Sequence, residues 1–450
     1  MDRLITLRTE LESEIQRQGY SLSSFSKASG INRGILSATL NGNPPKPMSI
    51  NQLDGMVRAL GKPEGWLYEL FVEECFNESG KTNWRRVRPL LLRCVDLHQA
   101  DLIRRTLDLL MENPAHVSHV FDMAEELVAE ERGADAVPLY QCVIENERNY
   151  QSERLAVSQY RLFRAALGHN IEDNLKAALI FESFRNRLPA HLKLDALLKL
   201  TNVYYTVQDW NATIHIADEL YTLCTELYEH KLNIQAKKQY YKSPKSERPA
   251  LLYYGQSILM KFVALEHSEK YEEARPLLQQ VANLDWFQDE HPENHKYIDL
   301  FKFFAHFNHL NLELLTGNSS VLREYAELLE QHPEEALPSL LIILKAANKH
   351  QYDIDYIIND HQHILYPDDL IDYILNRNMD AFHKYSDTSI SISRYVSIYY
   401  ELAIYYCNRK VYDEKLEKIL QSLEHTVAKY NRARIMDCIN LFKKLKELKN

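Results

Sequence analysis

Glycine is scarce in this 450-residue chain, with 12 glycines and 15 prolines in all. A backbone cradle for phosphate needs glycines at fixed offsets, and no GxxxxGK[ST] loop, GxGxxG turn or GxSxG elbow is present. Nucleotide-driven chemistry and the common serine-nucleophile chemistry are therefore not expected. No apolar run reaches the roughly 18 residues that a membrane-spanning helix needs. The opening MDRLITLRTELESE lacks the apolar core of a secretory signal. The expectation is a cytoplasmic protein with no membrane partner. The six cysteines, Cys75, Cys94, Cys142, Cys224, Cys407 and Cys438, include no CxxC pair, so they read as buried thiols and not as a disulfide framework or zinc knuckle. Among the 18 histidines His291 and His295, His306 and His309, and His361 and His363 form close pairs. None extends to a third ligand with zinc-site spacing, and HExxH is absent. No metal, cofactor or enzymatic activity is expected.

What the chain does contain is helix-forming sequence. Leu, Ala, Glu and Lys recur throughout with 28 tyrosines, which predicts a nearly all-helical protein. The charge is unevenly shared. Residues 1–70 hold eight Lys+Arg and seven Asp+Glu, whereas the whole chain carries −10, leaving −11 for the rest. A weakly basic head on an acidic body fits a small nucleic-acid reader joined to something that is not one.

The head is punctuated by glycine. Ile5, Leu7, Leu11 and Ile15 recur at helical spacing and stop at Gly19. Ser21 can cap a second helix, with Leu22 and Phe25 inward, that ends at Gly30. Asn32 can cap a third, Arg33 to Asn41, with Ile35, Leu36 and Leu40 toward the core, stopped by Gly42 and the prolines of NPPKP. Helices over 49–60 and 63–76 complete a five-helix bundle over residues 1–76. Two short helices joined by a glycine-containing turn form a helix-turn-helix unit. At Phe25, Ser29-Gly30-Ile31-Asn32-Arg33, Leu36-Ser37, Asn41-Gly42 and Leu53, Val57 and Ala59-Leu60-Gly61 the stretch resembles the lambda-repressor-like helix-turn-helix domain of bacterial regulators. It departs from that pattern at Leu22, Ala38 and Thr39. The resemblance implies that the first turns of the third helix read base edges, through Arg33, Gly34, Ser37 and Ala38 beside the capping Asn32. Ser21, Ser23, Asn41, Asn43 and Lys46 are the candidates for phosphate contacts. The alternative is a helical bundle without DNA binding.

Residues 77–88 read as a linker, and paired helical periods follow over 89–426 with breaks every 30 to 45 residues. The clearest pairs are 197–224, 255–283 and 399–424. In each an aromatic residue (Trp210, Tyr271, Tyr412) follows the turn, and a large apolar residue (Tyr204, Leu265, Tyr406) stands six positions earlier. Weaker pairs lie at 84–112, 116–147, 155–187, 296–331 and 334–364, with a lysine-rich capping helix at 427–450. Residues 228–249 read as a basic connection or an extended helix end. The pairs resemble the tetratricopeptide repeat, whose helices stack because neither buries its apolar face alone. A helical solenoid of another type is the alternative.

A lambda-repressor-like head on such a body resembles the RRNPP family of Gram-positive peptide-pheromone receptors. The resemblance implies an all-α chain in which a right-handed tetratricopeptide-like α-solenoid follows the DNA-binding domain. It implies a homodimer on a palindromic double-stranded DNA operator, switched by a short signalling peptide on the concave face of the repeats. By helical phase Asn202, Tyr205, Gln256, Asn308 and Asn311 are the candidates to grip such a peptide, with Arg161 and Arg164 for its carboxylate. The competing function class is a helical-repeat protein that sequesters a protein partner, such as a response regulator, without DNA binding.

Overall fold

The computed structural model of the chain describes residues 6–76, 83–149, 151–238, 246–287, 291–367, 369–376, 388–411 and 414–449. Among them it is all-helical, with twenty-four α-helices, short 3-10 turns and no strand. No helix among the described residues is long and apolar enough to cross a membrane. The chain divides into two compact units, residues 1–165 and 166–450.

Unit 1 holds α1 (Leu7–Arg17), α2 (Leu22–Ser29), α3 (Arg33–Leu40), α4 (Ile50–Ala59), α5 (Tyr68–Cys75), α6 (Trp84–Asp96), α7 (Ala100–Met111), α8 (Val117–Ala129), α9 (Val137–Asn146) and α10 (Glu153–Ala166). Its helix starts follow the sequence closely. Thr6, Ser21 and Ser49 each close a reciprocal capping box, and the Asn32 carboxamide accepts from the Gly34 amide. The boundary expected at 77–88 is not where the unit ends. Residues 77–82 lie outside the described residues, Asn83 caps α6, and one apolar core runs from Leu7 to Val143. Polar contacts explain why α6 belongs with the head. Arg86 donates to the carbonyls of Glu74 (2.6 Å) and Met48 (3.0 Å), and Arg93 pairs with Asp54 at 3.2 Å.

Unit 2 holds α11 (Ile171–Glu182), α12 (Ala190–Thr206), α13 (Trp210–Ala236), α14 (Ala250–His267), α15 (Tyr271–Ala282), α16 (Asn294–Leu315), α17 (Leu322–Gln331), α18 (Ala336–His350), α19 (Asp355–Asp360), α20 (Gln362–Leu365), α21 (Leu370–Asn376), α22 (Thr388–Asn408), α23 (Glu414–Tyr430) and α24 (Ile435–Lys449). The pairs read at 197–224, 255–283 and 399–424 correspond to α12/α13, α14/α15 and α22/α23; Tyr412 lies outside the described residues. α13 continues to Ala236, so most of 228–238 is helix end. The expected cap at 427–450 begins later, because α23 runs to Tyr430 and the last helix starts at Ile435.

The turns also show how so little glycine serves so many helix ends. After α12, α14 and α22, the residues Gln208, Glu269 and Lys410 take a left-handed φ of 60°, 59° and 59°. The next amide then bonds back to the carbonyl of Tyr204, Leu265 or Tyr406, each at 2.9–3.0 Å. The conspicuous apolar residue six places before the aromatic is thus the acceptor of the helix stop. His98 and Glu131 repeat the device in unit 1. A non-glycine residue there costs about 1–2 kcal/mol, against about 0.5–1 kcal/mol of extra chain entropy for glycine. Changing the exposed His98, Glu131 and Lys410 together to glycine is expected to stabilise the protein by roughly 1–2 kcal/mol in sum, read as a higher urea midpoint at unchanged m.

The first helices of successive pairs form an inner layer. α12 packs on α14, α14 on α16, α16 on α18, α18 on α22, and α22 returns to α12. The resemblance implies stacked pairs that curve around a concave wall lined by their first helices; those inner helices close into a ring. Closure rests on small residues. Ser389, Ser391, Ser393 and Ser397 are buried on α22. The Ser393 hydroxyl donates to the Thr206 carbonyl at 3.0 Å, and the Gln208 amide donates to Ser397 Oγ at 3.1 Å.

Candidate functional site

Two surfaces hold the residues singled out from sequence. On unit 1, α3 buries Leu36, Thr39 and Leu40 and turns Arg33, Gly34 and Ser37 to solvent, with Ala38 half-buried. Ser21, Ser23, Asn32, Asn41, Asn43 and Lys46 are exposed around it. Ser21 and Asn32 already use their side-chain oxygens as helix caps. Ile35 is not a core residue. It is 42% exposed, because it sits about 100° around the helix from Leu36, outside the arc that Leu36, Thr39 and Leu40 define. The Arg33 guanidinium makes no hydrogen bond or ion pair among the described residues.

The helix that carries Arg33 is held at both ends. Asn32 caps its start, and at its far end Arg8 Nε donates to the Thr39 carbonyl at 2.9 Å. The same guanidinium pairs with Glu74, whose carboxylate also faces Arg86 at 3.5 Å. Lys46 is placed by its amide, which donates to the Ala38 carbonyl at 2.8 Å. That bond needs Gly42, since a Cβ there would collide with the same carbonyl.

On unit 2, the ring lines a cavity of about 190 Å³ that opens to solvent. Five of the seven residues proposed for ligand contact line it: Asn202 and Tyr205 from α12, Gln256 from α14, and Asn308 and Asn311 from α16. Each inner helix presents one face inward, so residues chosen by helical phase converge. Some of their polar atoms are already engaged. Asn311 donates to Asn308 Oδ1 at 3.1 Å and accepts from the Tyr325 hydroxyl, and Arg248 Nη1 donates to Gln256 Oε1 at 3.0 Å.

Arg161 and Arg164 are not part of this cavity. They lie on α10 in unit 1, where Arg161 grips Glu125 through Nε (3.0 Å) and Nη2 (2.9 Å). Their phase on a first helix resembled that of the wall residues, but their helix is not one of the five in the ring.

The charged groups of the cavity are ones that periodicity did not single out: Arg248, Glu266, His267, Glu335 and Arg394. Lys345 Nζ donates to His267 Nδ1 at 2.6 Å, and the His267 ring stacks on Trp210 at 4.5 Å. Burial, with Lys345 and Arg394 nearby, holds His267 well below the usual imidazole range, so the ring is neutral and accepts at Nδ1. Burial also lowers Lys345. Burial raises Glu266 to about 8, against the pull of Lys345 and of a hydrogen bond with Asn311, which leaves it protonated at neutral pH. Its Oε1 has no hydrogen-bond partner. Arg394 Nε donates to the Tyr205 hydroxyl at 3.3 Å, and its guanidinium lies 5.7 Å from the centre of that ring. Neither Glu266 nor Arg394 carried a signal in the sequence beyond being a charge in an apolar stretch.

No protein-family model matches the chain, and no curated protein sequence matches it either.

Proposed function

We propose that the chain is a transcriptional regulator: unit 1 carries a lambda-repressor-like helix-turn-helix head, and the tetratricopeptide-like helix pairs of unit 2 hold the ligand that switches it. The observation that carries the reading is the outer face of α3. Arg33, Ile35 and Ser37 face solvent on a helix fixed at both ends, and the Arg33 guanidinium is unpaired among the described residues. A rigid helix with a free guanidinium suits the major groove, where Arg takes guanine bidentately and an apolar side chain meets the thymine methyl. Ser23, Asn43 and Lys46 flank that face and supply phosphate contacts that set register.

One such head offers few contacts, so the proposed binding form is a homodimer whose two heads read half-sites about one DNA turn, ~34 Å, apart. The ring of unit 2 is the proposed effector site for a short signalling peptide. Its occupant acts by favouring one of two arrangements of the ring helices, to the extent that it binds one better than the other.

The test is selection of bound duplexes from random DNA by the full chain, followed by gel-shift titration. Arg33→Ala is expected to weaken the selected site by about 1–3 kcal/mol, roughly 5- to 150-fold, with little change on unrelated DNA. Equal loss on both kinds of DNA, or no selected sequence at all, would remove the reading.

A further inference from the structure

The cavity of unit 2 has a charge imbalance that limits what it can hold. Its wall is mostly apolar, with Leu259, Met260, Val263, Leu341, Ile342 and Ile390 among the lining residues. Set into it are Arg248 and Arg394, with Lys345 close behind His267. Two buried carboxyls, Glu266 and Glu335, at 4% and 7% exposure, share the wall, and Glu401 faces Lys345. Glu266 is protonated at neutral pH for the reason given above and offsets no cation.

Arg394 is the unusual member. Arg248 donates to the Gln256 carboxamide, and Lys345 donates to His267 with the Glu401 carboxylate nearby. Arg394 is half-buried; its Nε donates to the Tyr205 hydroxyl, and its guanidinium lies over the face of that ring. No carboxylate lies within ion-pair distance of it among the described residues. Its Nη1 and Nη2 groups form the flat fork that matches two carboxylate oxygens, and Ile390, one turn away on the same helix, lines the same cavity. A guanidinium with a hydroxyl partner and no carboxylate, set in a cavity whose remaining wall is largely apolar, is a site that a ligand anion completes.

We propose that the ring cavity takes an apolar ligand ending in a carboxylate, with Arg394 as the anchor of that carboxylate. This deepens the effector reading of unit 2. The cavity of about 190 Å³ opens to solvent on one side, so an apolar chain can enter it with its carboxylate directed at Arg394. Two sources share this chemistry: the C-terminal residues of a short peptide, entering carboxylate first, and a free medium-chain alkanoic acid. Glu266 adds selectivity in the same direction, because its unpaired Oε1 side favours a neutral or anionic acceptor and gives a ligand ammonium no standing negative charge.

The experiment is calorimetric titration of the full-length protein with two matched pairs: N-acetyl-Leu-Ile acid against its C-terminal amide, and octanoate against octanamide. At least one acid is expected to bind, with its amide roughly tenfold weaker or more. Arg394→Gln is expected to erase that preference, while Arg394→Lys retains part of it. Which acid binds identifies the source. The inference is overturned if neither acid binds at millimolar concentration, if acid and amide bind alike to the unmodified protein, or if a folded Arg394→Gln keeps the preference. The acid-against-amide comparison needs no variant, so loss of folding in one would not rescue the inference. Gel shifts on the same preparations keep it separate from the DNA reading, since either can fail while the other stands.

Discussion

Gly255→Ala is expected to destabilise unit 2 by about 3 kcal/mol, although an ordinary helix-interior glycine gains up to about 1 kcal/mol from the same change. Gly255 lies inside α14, where that helix meets α16, and a Cβ there would fall within the ring of Phe301. Phe301 is fully buried and packs edge-on to Phe304 at 6.4 Å, so it has no open space to swing into. The contact is with a whole aromatic ring and not with the end of a flexible chain, which is why the steric term outweighs helix propensity. Urea unfolding of Gly255→Ala, Phe301→Leu and the double variant checks this. The double variant is expected to recover part of the loss, a coupling that only neighbours show. A raised midpoint for Gly255→Ala would mean that α14 and α16 leave room for a methyl group at this crossing. Because Phe304 lines the cavity, the same variant is expected to weaken acid binding as well.

Glu266→Gln is expected to stabilise the protein increasingly as pH rises, by on the order of 3–5 kcal/mol above pH 8. Burial lifts this carboxyl from 4.5 to about 8 in the folded chain, while in the unfolded chain it titrates at its ordinary value. Between those two values the folded protein holds a proton that the unfolded one has released. Stability therefore falls with rising pH across that window, is unaffected by Glu266 below it, and loses nothing further above it. The groups that face the carboxyl are Lys345 on α18 and Asn311 on α16, and both already pull its titration downward. Glutamine keeps the shape and a donor but does not titrate. Unfolding midpoints of the two proteins should coincide near pH 4 and separate steadily up to pH 8.5. A gap independent of pH would show that Glu266 is ionised in the fold, or that the substitution acts through packing.

Much of the head was legible because helix starts are local. Ser21 and Asn32 cap the helices that their side chains announce, since the donor each satisfies lies two or three residues away, and Ser49 caps a third in the same way. Ile35 was misread because an apolar residue is not obliged to face inward; its angular position against Leu36 and Leu40 decides, and it is 42% exposed. Phase likewise carried Asn202, Tyr205, Gln256, Asn308 and Asn311 to one cavity. It could not separate them from Arg161, which has an equivalent phase on α10 and meets Glu125 instead. Nor could it find Arg394, which joins Tyr205 across 189 residues of sequence.

The amino-acid sequence by itself determined that the chain is helical, where most helices start and stop, and which helices pair, because each rests on spacings of a few residues. Tertiary structure alone decided that unit 1 continues through α6 to α10, that α22 returns to α12, and which charges that closure strands in an apolar enclosure. These depend on contacts between segments far apart in the chain. Their energy comes from the summed fit of small serines, buried rings and paired charges, and no local period encodes that fit.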